Sequence, residues 1–313
     1  MSSSLVLADK VPPALAEKLA NDYQLYFYTK SSPEEIQAIS EQTEIIVASG
    51  ESTVNAEMIS RFPNLKLIAV FGVGYDGIDV ATATSKNIQV TNTPDILTDD
   101  VADLGFALIL NASRRINAAQ RFIEQGNWAS GSFPLASKVT GKRLGIVGYG
   151  RIGQAVADRA RGFSMPVACF SRHPVTDQDV KWYGDLTELA HNSDILVVCV
   201  SANPQTRGLI NKQVLTALGP KGILINISRG SVVDEAALVD AITRGEIGGA
   251  GLDVFAAEPS VPEALLNRPE VVLTPHIASG THETRADMAK LVIDNITAFQ
   301  NGQPLLTPVT PKA

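Results

Sequence analysis

Cysteine is scarce in this chain: the 313 residues hold only Cys169 and Cys199. That excludes a disulfide framework, and both lie inside apolar β-rich runs, VACF and LVVCV, where free cysteine behaves as a small core hydrophobe. Positive charge is short as well. With 26 Lys and Arg against 33 Asp and Glu the formal charge is −7, so the clustered cations that grip a phosphate backbone are lacking and nucleic acid is not an expected partner. No apolar run reaches the roughly 18 residues of a membrane span, and the start MSSSLVLADK has no basic lead followed by a long apolar stretch. No membrane partner is expected, and a reducing, cytoplasmic setting is. Repeats, heptads and low-complexity tracts are absent too, which excludes solenoid and coiled-coil designs.

What is present suits globular packing. The chain is 45% hydrophobic and 19% charged over 313 residues, enough for two ordinary domains with separate cores. Short β-rich runs (LVLA, QLYFY, EIIVA, LKLIAV) alternate with helix-like stretches such as PPALAEKLAND and SPEEIQAISEQ, which reads as parallel βαβ units. Ser32 before Pro33 and Glu35 has the form of a helix start. A second series begins near Thr98 with the apolar helix DVADLGFALILNASRRI and continues through KRLGIVG, VACFS, DILVVCV, GILINIS, GGAGLDVF and EVVLTPH. The closing helical stretch THETRADMAKLVIDNITAFQNG is long enough to leave the second series and pack on the first. The expected fold is therefore α/β, two doubly wound parallel-sheet domains with the cleft between them: one formed by 1–97 and completed by 286–313, the other by 98–285. The tail TPVTPKA is expected to fray.

GYGRIG, 148–153, fits a glycine pattern that alone is weak. Its context strengthens it, because it follows the apolar strand KRLGIVG and opens a helix, the arrangement that aims backbone N–H groups and a positive helix end at a pyrophosphate. Gly148 would make the tight turn, Gly150 would admit the phosphate, and Gly153 would let helix meet strand, with Arg151 and Ile152 supplying the first helical amides. About twenty residues further on, where Asp or Glu would bind the ribose hydroxyls of NADH, the strand VACFS ends in Ser171 followed by Arg172. A hydroxyl and a guanidinium accept a 2′-phosphate that a carboxylate would repel, so the site reads as one for NADPH, with NADH accepted more weakly. The alternative is a solvated Arg172 that lets either cofactor bind. His173 is either a further donor or an ordinary loop residue.

Three later strands end in NISRGSVVDE, GLDVFAAEP and LTPHIASG, on the edge where open α/β sheets bind ligands. They carry Arg229, Asp253, Glu258 and His276. Taken singly, each has an ordinary structural explanation: surface charge, turn solvation, a hydrogen-bonded loop histidine. Together they offer what reduction of a 2-oxo acid needs, a proton donor, a cation for carboxylate and carbonyl, and an anion that keeps the donor protonated.

The order GYGRIG, NISRG, GLDVFAAEP, TPHIASGTHETR, with FGVGYDGIDV and NTPDILTDDVADL before it, resembles the D-isomer-specific 2-hydroxyacid dehydrogenase family over nearly the whole chain. The resemblance implies a flavodoxin-like substrate or lid domain and a Rossmann dinucleotide domain. It assigns Arg229 to the substrate carboxylate and keto group, His276 to proton donation, Glu258 to support of His276, and Asp253 to the nicotinamide carboxamide. It also places the backbone of Val73 and Gly74 against the substrate carboxylate, and Pro204 and Thr206 along the adenine and phosphate side. Asp103 stands where the crossover motif commonly has Glu.

The branch most resembled contains glyoxylate, hydroxypyruvate and hydroxyphenylpyruvate reductases, so a small 2-oxo or 2-hydroxy acid is the expected substrate, with a bulkier acid such as hydroxyphenylpyruvate or 2-ketogluconate as the alternative. In the family resembled, the arm corresponding to GNWASGSFPLASKVTG packs across a dimer, so the resemblance implies a homodimer, and Trp128 and Phe133 in the arm read as interface or as pocket. Phosphoglycerate dehydrogenases resemble the core but often carry a further domain. Formate dehydrogenases place Gln where Glu258 stands. Nucleotide-sensing corepressors of the same fold form a rival outside the enzymes.

Overall fold

The computed structural model describes residues 4–309. It divides into two units, one running to Leu97 and resuming at Thr281, the other spanning Thr98–Gly280. In the first, strands β1 (Ser4–Leu7), β2 (Gln24–Phe27), β3 (Ile45–Ser49), β4 (Leu67–Phe71) and β5 (Gln89–Thr91) form a five-stranded sheet in the order β2-β1-β3-β4-β5. All its pairings are parallel. Every residue of β3 and β4 is buried, as expected of central parallel strands covered on both faces. Ile46, Ile68 and Phe62 belong to one core, and complete burial of each such side chain contributes about 1.5–3 kcal/mol.

Side chains fix the ends of its helices. Ser32 Oγ accepts from the Glu35 amide while Glu35 Oε2 accepts from the Ser32 amide, a reciprocal box that starts the helix Pro33–Ile39 and stabilises such a start by about 1 kcal/mol. The long helix His282–Gln300 returns to pack on β4. Its N-cap is Thr281, whose hydroxyl accepts from the Thr284 amide, so the return begins there rather than at 286. The helix is one continuous rod and the break falls at its start. Part of the tail is held, contrary to the fraying expected from composition: Thr307 Oγ1 donates to Asn92 O at 2.6 Å and the Val309 amide to Val90 O at 2.7 Å. The remainder, from 310, lies outside the described residues.

The second unit holds a seven-stranded parallel sheet: β6 (Leu144–Val147), β7 (Val167–Phe170), β8 (Val180–Tyr183), β9 (Ile195–Val198), β10 (Ile223–Asn226), β11 (Gly249–Leu252) and β12 (Val271–Leu273). Their order is β12-β11-β10-β9-β6-β7-β8. The direction of winding reverses between β6 and β9, and a ligand crevice opens at such a switch point, outside the carboxyl ends of the strands. Helix Thr98–Arg114 packs on β10 and β11 and alongside helix Arg151–Gly162. Asp103 accepts from Arg159 Nε at 2.6 Å across that helix pair. With Asp103 67% exposed, this ion pair contributes at most about 1 kcal/mol. The helix stops at Arg114 because Arg115 adopts a left-handed conformation (φ 54°), and a second helix, Ile116–Glu124, follows with no buried residue.

Candidate active site

The glycine loop leaves β6 at the switch point. Gly148 has φ 97°, and a side chain there would meet Val200 and Cys199 of the segment after β9 at 2.7–3.1 Å. A Cβ on Gly153 would lie 2.2 Å from the Gly148 carbonyl oxygen, so only glycine lets the helix start this close to the strand. In front of Gly150 there is open space. Gly150 is also the N-cap of the twelve-residue helix Arg151–Gly162, and no side chain caps that end. Exposed Arg151 and half-buried Ile152 form its first turn. An uncapped helix start facing open space matches the donor set a pyrophosphate takes, so the residues fit a dinucleotide.

Beyond β7, Ser171 is half-buried and Arg172 exposed. Ser171 Oγ donates to the His173 carbonyl at 2.6 Å and Trp182 Nε1 donates to the Ser171 carbonyl at 3.2 Å. The Ser171 proton is thus engaged within its own loop. Among the described residues Arg172 makes no hydrogen bond or ion pair. After β9, Thr206 Oγ1 accepts from the Asn203 amide and donates to the Ser201 carbonyl at 2.8 Å, with Pro204 exposed inside that turn. Thr206 therefore fixes this turn through the backbone.

Arg229 and the Glu258–His276 pair follow β10, β11 and β12. Asn226 fixes the Arg229 turn from both sides: its Nδ2 donates to the Arg229 carbonyl at 3.0 Å and its Oδ1 accepts from the Ser228 amide. Glu258 Oε2 lies 2.8 Å from His276 Nδ1, and Glu258 Oε1 accepts from the Phe255 amide at 2.9 Å. Burial alone would push the Glu258 carboxyl up; the His276 hydrogen bond, the Phe255 amide and the charges of His276 and Arg229 outweigh it and hold the group below its ordinary range.

Asp253 is engaged by the protein itself. It is completely buried. Its carboxylate accepts from Thr274 Oγ1 at 2.6 Å and from the Ile277 and Ala278 amides at 2.9 Å each. Burial raises its pKa and these same hydrogen bonds oppose the rise. They clamp the turn in which His276 has φ 53°, a left-handed conformation that costs a non-glycine residue about 1–2 kcal/mol. Asp253 thereby holds His276 in place. The sequence offered no signal for Thr274 in this clamp.

In the other unit, Gly72 follows β4 with its amide donating to Thr93 Oγ1 at 3.0 Å, and Asn92 Nδ2 donates to the Val73 carbonyl at 3.0 Å. Val73 and Gly74 are half-exposed in that braced turn.

Residues 106–278 match the family model for the D-isomer specific 2-hydroxyacid dehydrogenase, NAD binding domain. The chain belongs to the D-isomer specific 2-hydroxyacid dehydrogenase family. As a 2-hydroxyacid dehydrogenase it is an NAD(P)-dependent oxidoreductase. It is 46% identical over 297 residues to a hydroxyphenylpyruvate reductase of Plectranthus scutellarioides, covering 94% of this chain and 95% of that one. A glyoxylate/hydroxypyruvate reductase of Arabidopsis thaliana is 49% identical over 264 residues, 84% of each chain. Among solved structures, the NADPH-dependent glyoxylate/hydroxypyruvate reductase of Sinorhizobium meliloti, in complex with NADP and malonate, superposes with a TM-score of 0.92 over 100% of both chains at 39% identity.

In a dehydrogenase of this family the Glu258–His276 contact has a testable electrostatic sign. The attraction that lowers Glu258 acts reciprocally on the imidazolium and favours its protonated form. If His276 gives the proton in reduction, the rate falls as pH rises and the imidazolium is lost. Glu258→Gln removes the charge, and the falling limb of the reduction pH profile is expected to move to lower pH. The measurement is kcat/KM against pH with the chemical step rate-limiting; an unmoved limb removes Glu258 from this role.

Proposed function

We propose that the protein is an NADPH-preferring 2-oxo acid reductase acting on glyoxylate and hydroxypyruvate, with NADH used more weakly. The observation that carries this reading is the 2.8 Å contact of His276 with Glu258, set at strand ends of the same sheet whose switch point bears the open glycine loop. When bound, the reduced nicotinamide supplies the hydride for the keto carbon. His276 gives its proton to the nascent alkoxide oxygen, Glu258 keeps the imidazole oriented and charged, and Asp253 holds the backbone that presents it. Arg229 attracts the substrate carboxylate and polarises the keto group, and the turn at Val73 and Gly74 presents backbone amides to the same carboxylate. Gly148, Gly150, Arg151, Ile152 and Gly153 receive the pyrophosphate, Arg172 the 2′-phosphate, and the Pro204–Thr206 turn borders the adenine side.

The 46% identity to a hydroxyphenylpyruvate reductase favours a second substrate reading, a bulkier 2-oxo acid. A panel of glyoxylate, hydroxypyruvate, hydroxyphenylpyruvate and 2-ketogluconate, each with NADPH and with NADH, separates these by kcat/KM. Nucleotide binding without turnover on any of them supports a sensor instead and overturns the enzymatic reading.

We further infer a homodimer. Ile116, Ile123, Trp128 and Leu135 are exposed by 51%, 57%, 69% and 98%, while Phe133 folds edge-on against Phe122 at 5.5 Å. The helix Ile116–Glu124 and the arm after it thus present an exposed apolar surface, and a second copy that covers it gains about 1.5–3 kcal/mol for each large side chain removed from water. Sedimentation at micromolar concentration is expected to give a dimer, and Leu135→Asp to raise its dissociation constant at least about tenfold. A wild-type monomer under those conditions overturns the inference. The free cysteines Cys169 and Cys199 accord with the cytoplasmic setting proposed for it.

A further inference from the structure

The 171–179 loop joins β7 to β8 and carries Arg172. Its far end is anchored through Asp177. Asp177 Oδ1 accepts from the Asp179 amide at 3.0 Å, and Oδ2 accepts from the Tyr149 hydroxyl at 2.8 Å and from Arg161 Nη2 at 3.2 Å. Tyr149 stands inside the glycine loop, between Gly148 and Gly150. The two loops also leave their strands side by side, the Gly148 amide donating to the Phe170 carbonyl at 2.8 Å. One phenol thus joins the turn that faces the pyrophosphate to the loop that faces the adenosine ribose. Burial and then the neighbouring Asp177 push the Tyr149 phenol well above its ordinary pKa, so it remains a donor across any working pH.

Asp177 is an anion in the same short loop as Arg172. Released, its carboxylate would pair with Arg172 or oppose a dianionic phosphate. Held by Tyr149, Asp179 and Arg161 it does neither. We propose that Tyr149 is a positioning residue for cofactor discrimination: its hydroxyl keeps Asp177 away from the 2′-phosphate subsite and so leaves Arg172 to the phosphate. This rests on the NADPH reading above and deepens it, since that reading invoked only Ser171 and Arg172.

The test is calorimetric binding of 2′,5′-ADP and 5′-ADP to the full chain, which isolates the 2′-phosphate without turnover. Tyr149→Phe is expected to weaken 2′,5′-ADP roughly three- to tenfold, the scale of one lost hydrogen bond, and to leave 5′-ADP within about twofold. Asp177→Asn retains an acceptor and carries no charge, so 2′,5′-ADP should bind at least as tightly as in wild type, and adding Tyr149→Phe on that background should change little. Equal weakening of both ligands, a lowered melting temperature with an unchanged ratio, or a Tyr149→Phe effect as large without the Asp177 charge as with it overturns the inference. Arg172→Ala separates the two levels. If it weakens 2′,5′-ADP while Tyr149→Phe does not, only the tether fails; if it leaves 2′,5′-ADP unaffected, the NADPH reading fails and the tether with it.

Discussion

Replacing His276 with alanine is expected to lower turnover in 2-oxo acid reduction by roughly 10²- to 10⁴-fold, the usual contribution of a positioned proton donor. Three features of its surroundings support an effect on chemistry rather than on folding. The backbone at residue 276 is held by the Asp253 carboxylate and carbonyl, not by the imidazole, so the turn survives loss of the side chain. Glu258 keeps its second acceptor contact, from the Phe255 amide. The glycine loop lies on β6, across the sheet from β12, and cofactor affinity should change little. Single-turnover kinetics with a deuterated nicotinamide would make the chemical step visible. A variant within about threefold of wild type in that step would show that some other group delivers the proton.

Much of the fold was legible because parallel sheets write themselves plainly. The runs that became β3, β4, β6, β9 and β10 are buried at every position, and continuous apolar stretches of that length have few other uses. What escaped notice lies at the edges. Strand β8, VKWY, alternates buried, exposed and half-buried residues at the rim of its sheet, and β5 has only three residues. The helix Ile116–Glu124 was hidden because its start depends on a left-handed Arg115, a conformation that composition does not announce. None of its side chains is buried, so no inward-facing stripe marked it as a helix of the core.

The candidate site divides in the same way. His276 and Glu258 are eighteen positions apart, and spaced motifs sufficed to pair them. The bond from Tyr149 to Asp177 spans 28 positions between residues of no recognisable pattern. Asp253 does more than a strand-end acid announces: the backbone turning back over it donates hydrogen bonds to its carboxylate. Ser171 likewise. Its hydroxyl has a carbonyl two residues away within reach, and local side-chain to backbone bonds compete with ligands as they do with secondary structure.

That last point alters how the cofactor preference should respond to mutation. With the Ser171 proton engaged in its own loop, its contribution to the proposed NADPH site is expected to be chiefly the absence of charge, leaving discrimination to the exposed Arg172. A hydrogen bond to a charged group contributes about 1.5–3 kcal/mol when well formed, so Arg172→Ala is expected to weaken NADPH by roughly ten- to a hundredfold and to leave NADH nearly unaffected. Ser171→Asp combined with Arg172→Ala should go further. The new carboxylate repels the 2′-phosphate and can accept the ribose hydroxyls of NADH, and it also gives up the bond to the His173 carbonyl, freeing the loop to turn that carboxylate toward the ribose. The preference is then expected to reverse. The quantity to measure is the ratio of kcat/KM for NADPH and NADH with one 2-oxo acid, in wild type, Arg172→Ala and the double variant. Wild type favouring NADH, or a ratio indifferent to Arg172, would reduce this strand end to solvated surface; a ratio that falls with Arg172→Ala but does not fall further in the double variant would place the discrimination in the guanidinium alone.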